Sequence, residues 1–276
     1  MEQQFSEITA GDGTRIHIHA WNVSSPRAQL IIAHGMGEHG GRYRELATHL
    51  NGQGISVYAP DHRGHGLTGE RAGQMGHFAS RNGWDRVVDD LLVLCRKILE
   101  DDGETPVFLM GHSMGSFLAR DFASRHGRRL KGLILSGTAH KRMDALAGFL
   151  LTRCLSLFAS PLKSGGMLTR MTLGKFNGQF APNRTEYDWL SRDPDHVDAY
   201  VADPHCGIDF TLGFYRDLFT GLQRITRPAA FRNTPDDLPL LCFAGDEDPV
   251  GERGAGVRRA AQCYERHGNR DVTLKL

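Results

Sequence analysis

Ser113 sits in Gly111-His112-Ser113-Met114-Gly115, and the flanks of that pentapeptide decide what it could do. Val107-Phe108-Leu109-Met110 before it is an apolar run suited to a buried strand, and Ser116-Phe117-Leu118-Ala119-Arg120-Asp121-Phe122-Ala123 after it suits a helix. Strand, G-x-S-x-G, helix is the context in which this motif makes a tight turn and lifts a serine hydroxyl above a sheet edge. The glycines answer a steric need, because side chains two residues either side of the serine would strike the neighbouring strand and helix. The first amides of the helix point at the same space. In a chain with 33 glycines the bare pentapeptide says little; its flanks carry the argument.

A serine hydroxyl is a poor nucleophile at neutral pH and needs a base, a group to orient the base, and donors for the oxyanion. For donors, Leu30-Ile31-Ile32-Ala33 runs into His34-Gly35-Met36-Gly37-Glu38-His39-Gly40, a glycine-rich loop able to turn the Met36 amide toward the serine. The second donor would be the Met114 amide. For the orienting acid, the run Phe243 to Val250 offers Asp246, Glu247 and Asp248. The base should come after the acid, beyond one further strand. Val272-Thr273-Leu274-Lys275-Leu276 suits that strand and closes the sequence. His267 lies before this strand, on its wrong side. His34 and His112 belong to turn motifs, where packing or a hydrogen bond is expected, and His62 and His65 lie in Asp61-His62-Arg63-Gly64-His65-Gly66, read as a structural loop.

The elements that must position these residues follow from periodicity. Ile16, Ile18 and Ala20 alternate with His17 and His19, predicting a half-buried strand paired with Phe5–Thr9 across Gly11-Asp12-Gly13. Leu30–Ala33, Ile55–Ala59, Val107–Met110, Leu133–Leu135 and Leu240–Ala244 read as buried strands. Tyr43, Leu46, Ala47 and Leu50 have helical spacing, as do Trp84, Val87, Val88, Leu91, Leu92, Cys95, Ile98 and Leu99. Strands alternating with helices predict a mostly parallel α/β sheet with its site at the carboxyl edge. The alternation stops after Gly137. Residues 138–210 read as several helices, an inserted cap between a core part at 1–137 and a second at 211–276.

Composition narrows the class. With 40% hydrophobic and 24% charged residues, a folded core is expected. A formal net charge of +1 gives no electrostatic case for nucleic acid. The five cysteines are scattered without a C-x-x-C pair, which predicts reduced thiols, a cytoplasmic setting and no zinc site. Met1–Glu7 has neither a basic segment nor an apolar run, so no secretion signal is expected.

Together, His34-Gly35-Met36-Gly37-Glu38-His39, Asp61-His62-Arg63-Gly64-His65-Gly66, Gly111-His112-Ser113-Met114-Gly115 and Gly245-Asp246-Glu247-Asp248 resemble the α/β-hydrolase superfamily in its monoacylglycerol lipase and lysophospholipase-like branch. The likeness runs from about residue 5 to the end and is looser in the cap, where Arg184–Asp193 carries it. It implies the α/β-hydrolase fold, a twisted, mostly parallel sheet with helices on both faces and an inserted helical cap. It implies Ser113 as nucleophile, the Met36 and Met114 amides as oxyanion donors, and Asp248 as acid, since the family's acid lies three residues after the glycine that closes its strand. The family's histidine follows the last strand and precedes a final helix. On that pattern the histidine is expected beyond Leu276, the C-terminal core part is incomplete, and the chain as printed is expected to be a truncated, impaired hydrolase.

The implied chemistry is hydrolysis of a small lipid ester, a monoacylglycerol or lysophospholipid, through an acyl-enzyme, with no cofactor and no metal. Residues 145–159 form the most apolar stretch, and Leu151 and Leu155 are candidates for the acyl-binding lining. The stretch reads either as a cap helix buried on the core or as an apolar rim in transient contact with a membrane surface. Asp188, Asp193, Asp195, Asp198 and Asp203 crowd the later cap as helix caps and solvated charges, or as a site for a cationic substrate group. The second option would make the enzyme a proline-type serine aminopeptidase. A non-catalytic hydrolase-like binding protein is the third reading.

Overall fold

The computed structural model describes residues 4–140, 143–172 and 174–276. Its strands are β1 (Gln4–Thr9), β2 (Arg15–Trp21), β3 (Ala28–Ala33), β4 (Ile55–Pro60), β5 (Val107–His112), β6 (Gly132–Ser136), β7 (Leu240–Phe243) and β8 (Val272–Lys275). They form one sheet in the order β1-β2-β4-β3-β5-β6-β7-β8. β1 pairs antiparallel with β2, and β2 antiparallel with β4. Every pair from β4 to β8 is parallel.

The helices are α1 (Arg44–Asn51), α2 (Gly66–Arg71), α3 (Gly83–Asp101), α4 (Met114–His126), α5 (Met143–Leu155), α6 (Gly166–Thr172), α7 (Gly174–Asn177), α8 (Pro194–Ala202), α9 (Leu212–Ile225), α10 (Pro228–Asn233) and α11 (Ala255–Arg266). Alternate residues of the central strands feed two apolar layers, as a period of two requires. Leu30, Ile32, Val57 and Ala59 pack with Trp21 and Ala47 on the α1 face. Ile31, Leu109, Leu133 and Leu135 join Val87, Leu91, Leu118 and Phe122 of α3 and α4 on the other.

β2 departs from the expected half-buried strand. From Ile16 to Trp21 both faces are covered, and His17 and His19 are buried. The covering comes from distant loops. His19 Nε2 meets Asp61 Oδ1 at 3.0 Å, and the Asp61 carboxylate also accepts from the Gly40 and Leu67 amides at 2.8 Å each. Alternation in one segment cannot reveal a polar face sealed by another.

Between β6 and β7 the described residues add no strand to the sheet; helices α5 to α10 and short 3-10 turns occupy that block. α5 packs on α9, where a Cβ on Gly148 would come within 2.4 Å of the Phe219 ring. Among the described residues no helix is long and apolar enough to cross a membrane.

Candidate active site

The central parallel strands deliver their loops to one edge. β5 ends at His112, and Ser113 bridges to α4 with φ 50° and ψ −118°. A non-glycine residue in that region is strained, and the surroundings hold it there. The Ser113 amide donates to Ser136 O at 2.9 Å, and Ser113 O accepts from Ser116 N at 2.9 Å and Ser116 Oγ at 2.6 Å. The flanking glycines are required by close approach. A Cβ on Gly111 would lie 2.3 Å from Gly115 O, and one on Gly115 would lie 1.9 Å from Ala33 O. The elbow is therefore pressed against the end of β3, from which the loop of Met36 departs.

That loop lies directly against the serine. A Cβ built on Gly35 would stand 3.4 Å from Ser113 Cβ and 3.4 Å from His112 Cδ2. Its backbone is held from two sides. Glu38 Oε1 accepts from the Gly35 amide at 2.6 Å and from Tyr43 Oη at 2.9 Å. His34 is fully buried, and its Nε2 accepts from the His62 amide at 3.0 Å. Nδ1 therefore carries the hydrogen and donates to Gly35 O at 2.7 Å. Gly35 O and Met36 N–H belong to one planar peptide and point in opposite directions, so His34 sets the direction of the Met36 amide. Met114 is the first residue of α4, and its amide has no acceptor within the helix.

Asp248 follows β7. Its Oδ1 accepts from Val250 N at 2.8 Å, and its Oδ2 lies 3.2 Å from the point where Gly137 would carry a Cβ. His112 Cε1 lies 3.6 Å from that same point, so the His112 ring has the Gly35 loop at one edge and the Asp248 side at the other. Asp246 and Glu247 are exposed, and Arg192 reaches them at 3.5 Å and 2.8 Å.

The other histidines have different work. His112 Nδ1 hydrogen-bonds Ser136 Oγ at 3.1 Å. The His62 ring lies tilted against His34 with ring centres 4.1 Å apart, and His65 Nδ1 hydrogen-bonds Arg63 O at 3.0 Å. Burial drives all three of His34, His62 and His65 down, His62 to about 3 and His65 to about 4, so these rings stay neutral. His267 caps α11 through Nδ1 and Cys263 O at 2.7 Å and stacks on Phe231. Two residues on, Asn269 holds Pro235 O and Leu238 O at the start of β7. His267 is thus at the amino edge of the sheet, away from Ser113. Leu151 and Leu155 of α5 are half-buried and pack on the core, while Leu146 and Leu150 face solvent.

A family model described as serine aminopeptidase, S33, matches residues 24–276. The chain belongs to that family. A monoacylglycerol lipase of Mycolicibacterium smegmatis is 30% identical over 267 residues, covering 96% of this chain and 84% of the relative. A monoglyceride lipase of Mus musculus is 30% identical over 284 residues, covering 99% of this chain and 82% of the relative. Among solved structures, a thermostable carboxyl esterase from Bacillus coagulans in complex with glycerol superposes with a TM-score of 0.92 at 26% identity, covering 100% of this chain and 90% of that one. The α/β-hydrolase fold expected from the motifs is the fold observed.

In this S33-family hydrolase, the described residues include two groups of metal-ligand type. His17, His19 and Asp61 are buried, and Asp61 is taken up by His19 and two amides. His39, Asp203 and Cys206 bring ligand atoms within 4.8 Å of one another. His39 Nδ1 accepts from Gly41 N at 3.2 Å, so Nε2 holds the hydrogen that it donates to Asp203 Oδ2 at 2.8 Å. A metal-bound histidine needs an acceptor, not a donor, behind its other nitrogen. The group is suited to joining the His39 loop to the segment after α8 by a hydrogen bond, and it does not suit a cation.

The acidic residues of the later cap are largely engaged by the fold itself. Asp193 caps α8 through the Asp195 amide, Asp188 accepts from Arg184 N, Thr185 N and Thr185 Oγ1, and Asp198 pairs with Arg184. Glu38, Tyr43 and Tyr200 support the Gly35–Gly37 loop but were not expected from sequence. Glu38 had a signal, its spacing of three from Gly35 and four from Arg42; Tyr200 comes from 163 residues away and had none.

Proposed function

We propose that the chain is a carboxylic-ester hydrolase acting on monoacylglycerol or lysophospholipid-type esters through an acyl-enzyme. Ser113 Oγ attacks the ester carbonyl, and the oxyanion takes hydrogen bonds from the Met36 and Met114 amides. Asp248 orients a histidine that takes the serine proton and passes it to the leaving alcohol; water then cleaves the acyl-enzyme by the same relay. None of His34, His62, His65, His112 and His267 is assigned that role, since the fold engages or places each of them elsewhere. The observation that carries the reading is the strained Ser113 backbone with Gly35 so near that a Cβ built there would stand 3.4 Å from Ser113 Cβ.

Residues 138–210 act as a cap over the carboxyl edge of the sheet, and Leu151 and Leu155 line the acyl path from its inner side. The outer side is apolar: Leu150 is 57% exposed, Leu157 77%, Phe158 90% and Leu162 64%. This favours transient contact with a membrane surface by a cytoplasmic protein whose five cysteines are free. The engagement of Asp188, Asp193 and Asp198 within the fold favours esters over substrates with a cationic amino terminus.

The test is fluorophosphonate labelling of the full-length gene product, alongside turnover of p-nitrophenyl esters and aminoacyl anilides. Stoichiometric labelling lost in Ser113→Ala, with ester turnover exceeding anilide turnover, is the expected result. Labelling that survives Ser113→Ala overturns the reading, and preferred anilide turnover replaces it with an aminopeptidase.

A further inference from the structure

The cap grips the loop that carries Met36. Gly37, one residue on, adopts φ +73°, a left-handed turn that bends the loop. Its carbonyl accepts from two donors on the far side of the cap–core seam, Tyr200 Oη at 2.7 Å and Gly207 N at 2.9 Å. The Gly207 amide also lies 3.1 Å from Tyr200 Oη, so carbonyl, phenol and amide close a triangle. Tyr200 is 7% exposed, with the Tyr187 ring 4.9 Å away on one side and the Arg42 guanidinium 5.0 Å from its own ring centre. Two residues past Gly37, His39 is tied to Asp203 of the same cap segment. Of the groups bracing the loop, His34 and Glu38 belong to the loop itself; the Gly37 carbonyl is held by the cap.

We propose that Tyr200 is a positioning residue, whose phenol, with the Gly207 amide, sets the bend at Gly37 and thereby the direction of the Met36 amide. This rests on the reading of Ser113 and Met36 given above. The cap segment from Tyr200 to Gly207 then belongs to the oxyanion apparatus as well as covering the substrate. Without the phenol the loop keeps its core braces but loses half of its grip on Gly37, and the donor must be re-aimed in each transition state. Ground-state binding of the acyl chain does not use that amide, so the loss should fall on kcat.

Tyr200→Phe keeps the ring and its packing and removes the donor. In the full-length gene product, kcat for both p-nitrophenyl butyrate and a long-chain monoacylglycerol should fall about 5- to 10-fold, the usual worth of one buried hydrogen bond, with KM held within about twofold. The inhibition constant of a trifluoromethyl ketone, which forms an oxyanion on the serine, should rise by the same factor as kcat falls. Tyr187→Phe is the comparison. It removes a hydroxyl 3.5 Å from Gly207 O in the same seam and should leave kcat unchanged. Unchanged kcat and ketone affinity in Tyr200→Phe would overturn the proposal. So would a raised KM with kcat intact, which makes Tyr200 a substrate contact, or an equal kcat loss in Tyr187→Phe, which makes the effect general loosening. If Ser113→Ala keeps its activity, the underlying reading fails instead, whatever the tyrosine variants do.

Discussion

Asp248 and Asp246 are two residues apart and face different environments. Asp248 is half-sheltered, anchored by the Val250 amide and turned toward Gly137 and His112. The Asp246 side chain is 76% exposed and shares Arg192 with Glu247. Asp248→Asn should lower kcat/KM for esters by about 10³-fold or more, as expected for a lost orienting acid, and Asp246→Asn should stay within about twofold. Steady-state kinetics on one short ester separates them. The buried histidines give a second prediction. His62 and His65 have folded-state values driven below the ordinary 6.5, to about 3 and about 4, by burial. Below pH 6.5 the unfolded chain binds protons that the native rings refuse, so stability falls as pH drops from about 6.5 toward 4 and is full above 6.5. Between pH 6 and pH 5 the two together should cost about 2 kcal/mol. Urea unfolding at those pH values measures it, and His62→Phe should remove about 1 kcal/mol of the loss. At this scale the candidates Ser113 and the carboxylate run were legible in the sequence, because each sits in a contiguous motif. It did not reveal Tyr200, because a single tyrosine on a cap helix has no local signature of what its hydroxyl meets.

The elbow is where two elements approach most closely. Gly115 lies where α4 starts and β3 ends, and a Cβ there would overlap the Ala33 carbonyl at 1.9 Å and the His34 carbonyl at 2.5 Å. The obstacles are backbone, so neither can swing aside. Gly115→Ala should destabilise by about 3 kcal/mol or more and lower the melting temperature accordingly, with labelling of Ser113 lost before the fold melts. Strands and helices of the core were legible from periodicity because each buries one face or both on a near neighbour. β2 was misjudged as half-buried for the opposite reason, since its histidine face is closed by Asp61 and Gly40, remote in sequence. The block between β6 and α9 was legible only as helical. Which side of α5 turns inward depends on α9, and that pairing leaves no trace in either segment alone.

Over the described residues, exposed apolar surface gathers on α5 and the segment that follows it. Leu157 and Phe158 follow α5 and are 77% and 90% exposed. Burying such side chains in a lipid interface yields about 1.5–3 kcal/mol each, so Leu157→Ser with Phe158→Ser should weaken binding to phosphatidylcholine vesicles at least about tenfold, measured by co-sedimentation. Hydrolysis of a water-soluble short ester should be unaffected. Leu151→Asp, on the inward side, should instead weaken long-chain ester hydrolysis more than short-chain at equal vesicle binding. One buried cation ties the two ends of this block to the core. Arg120 of α4 is 1% exposed, and its guanidinium donates to Ala139 O at 2.7 Å and Ile225 O at 3.2 Å. The first carbonyl lies where the chain leaves the sheet after β6, and the second where it comes back at the foot of α9. Departure and return are pinned by one side chain on the very helix that begins at Ser113. What lies between can therefore be remodelled in later variants without shifting Ser113, so long as the Tyr200 and Gly207 grip on the Gly37 carbonyl is kept.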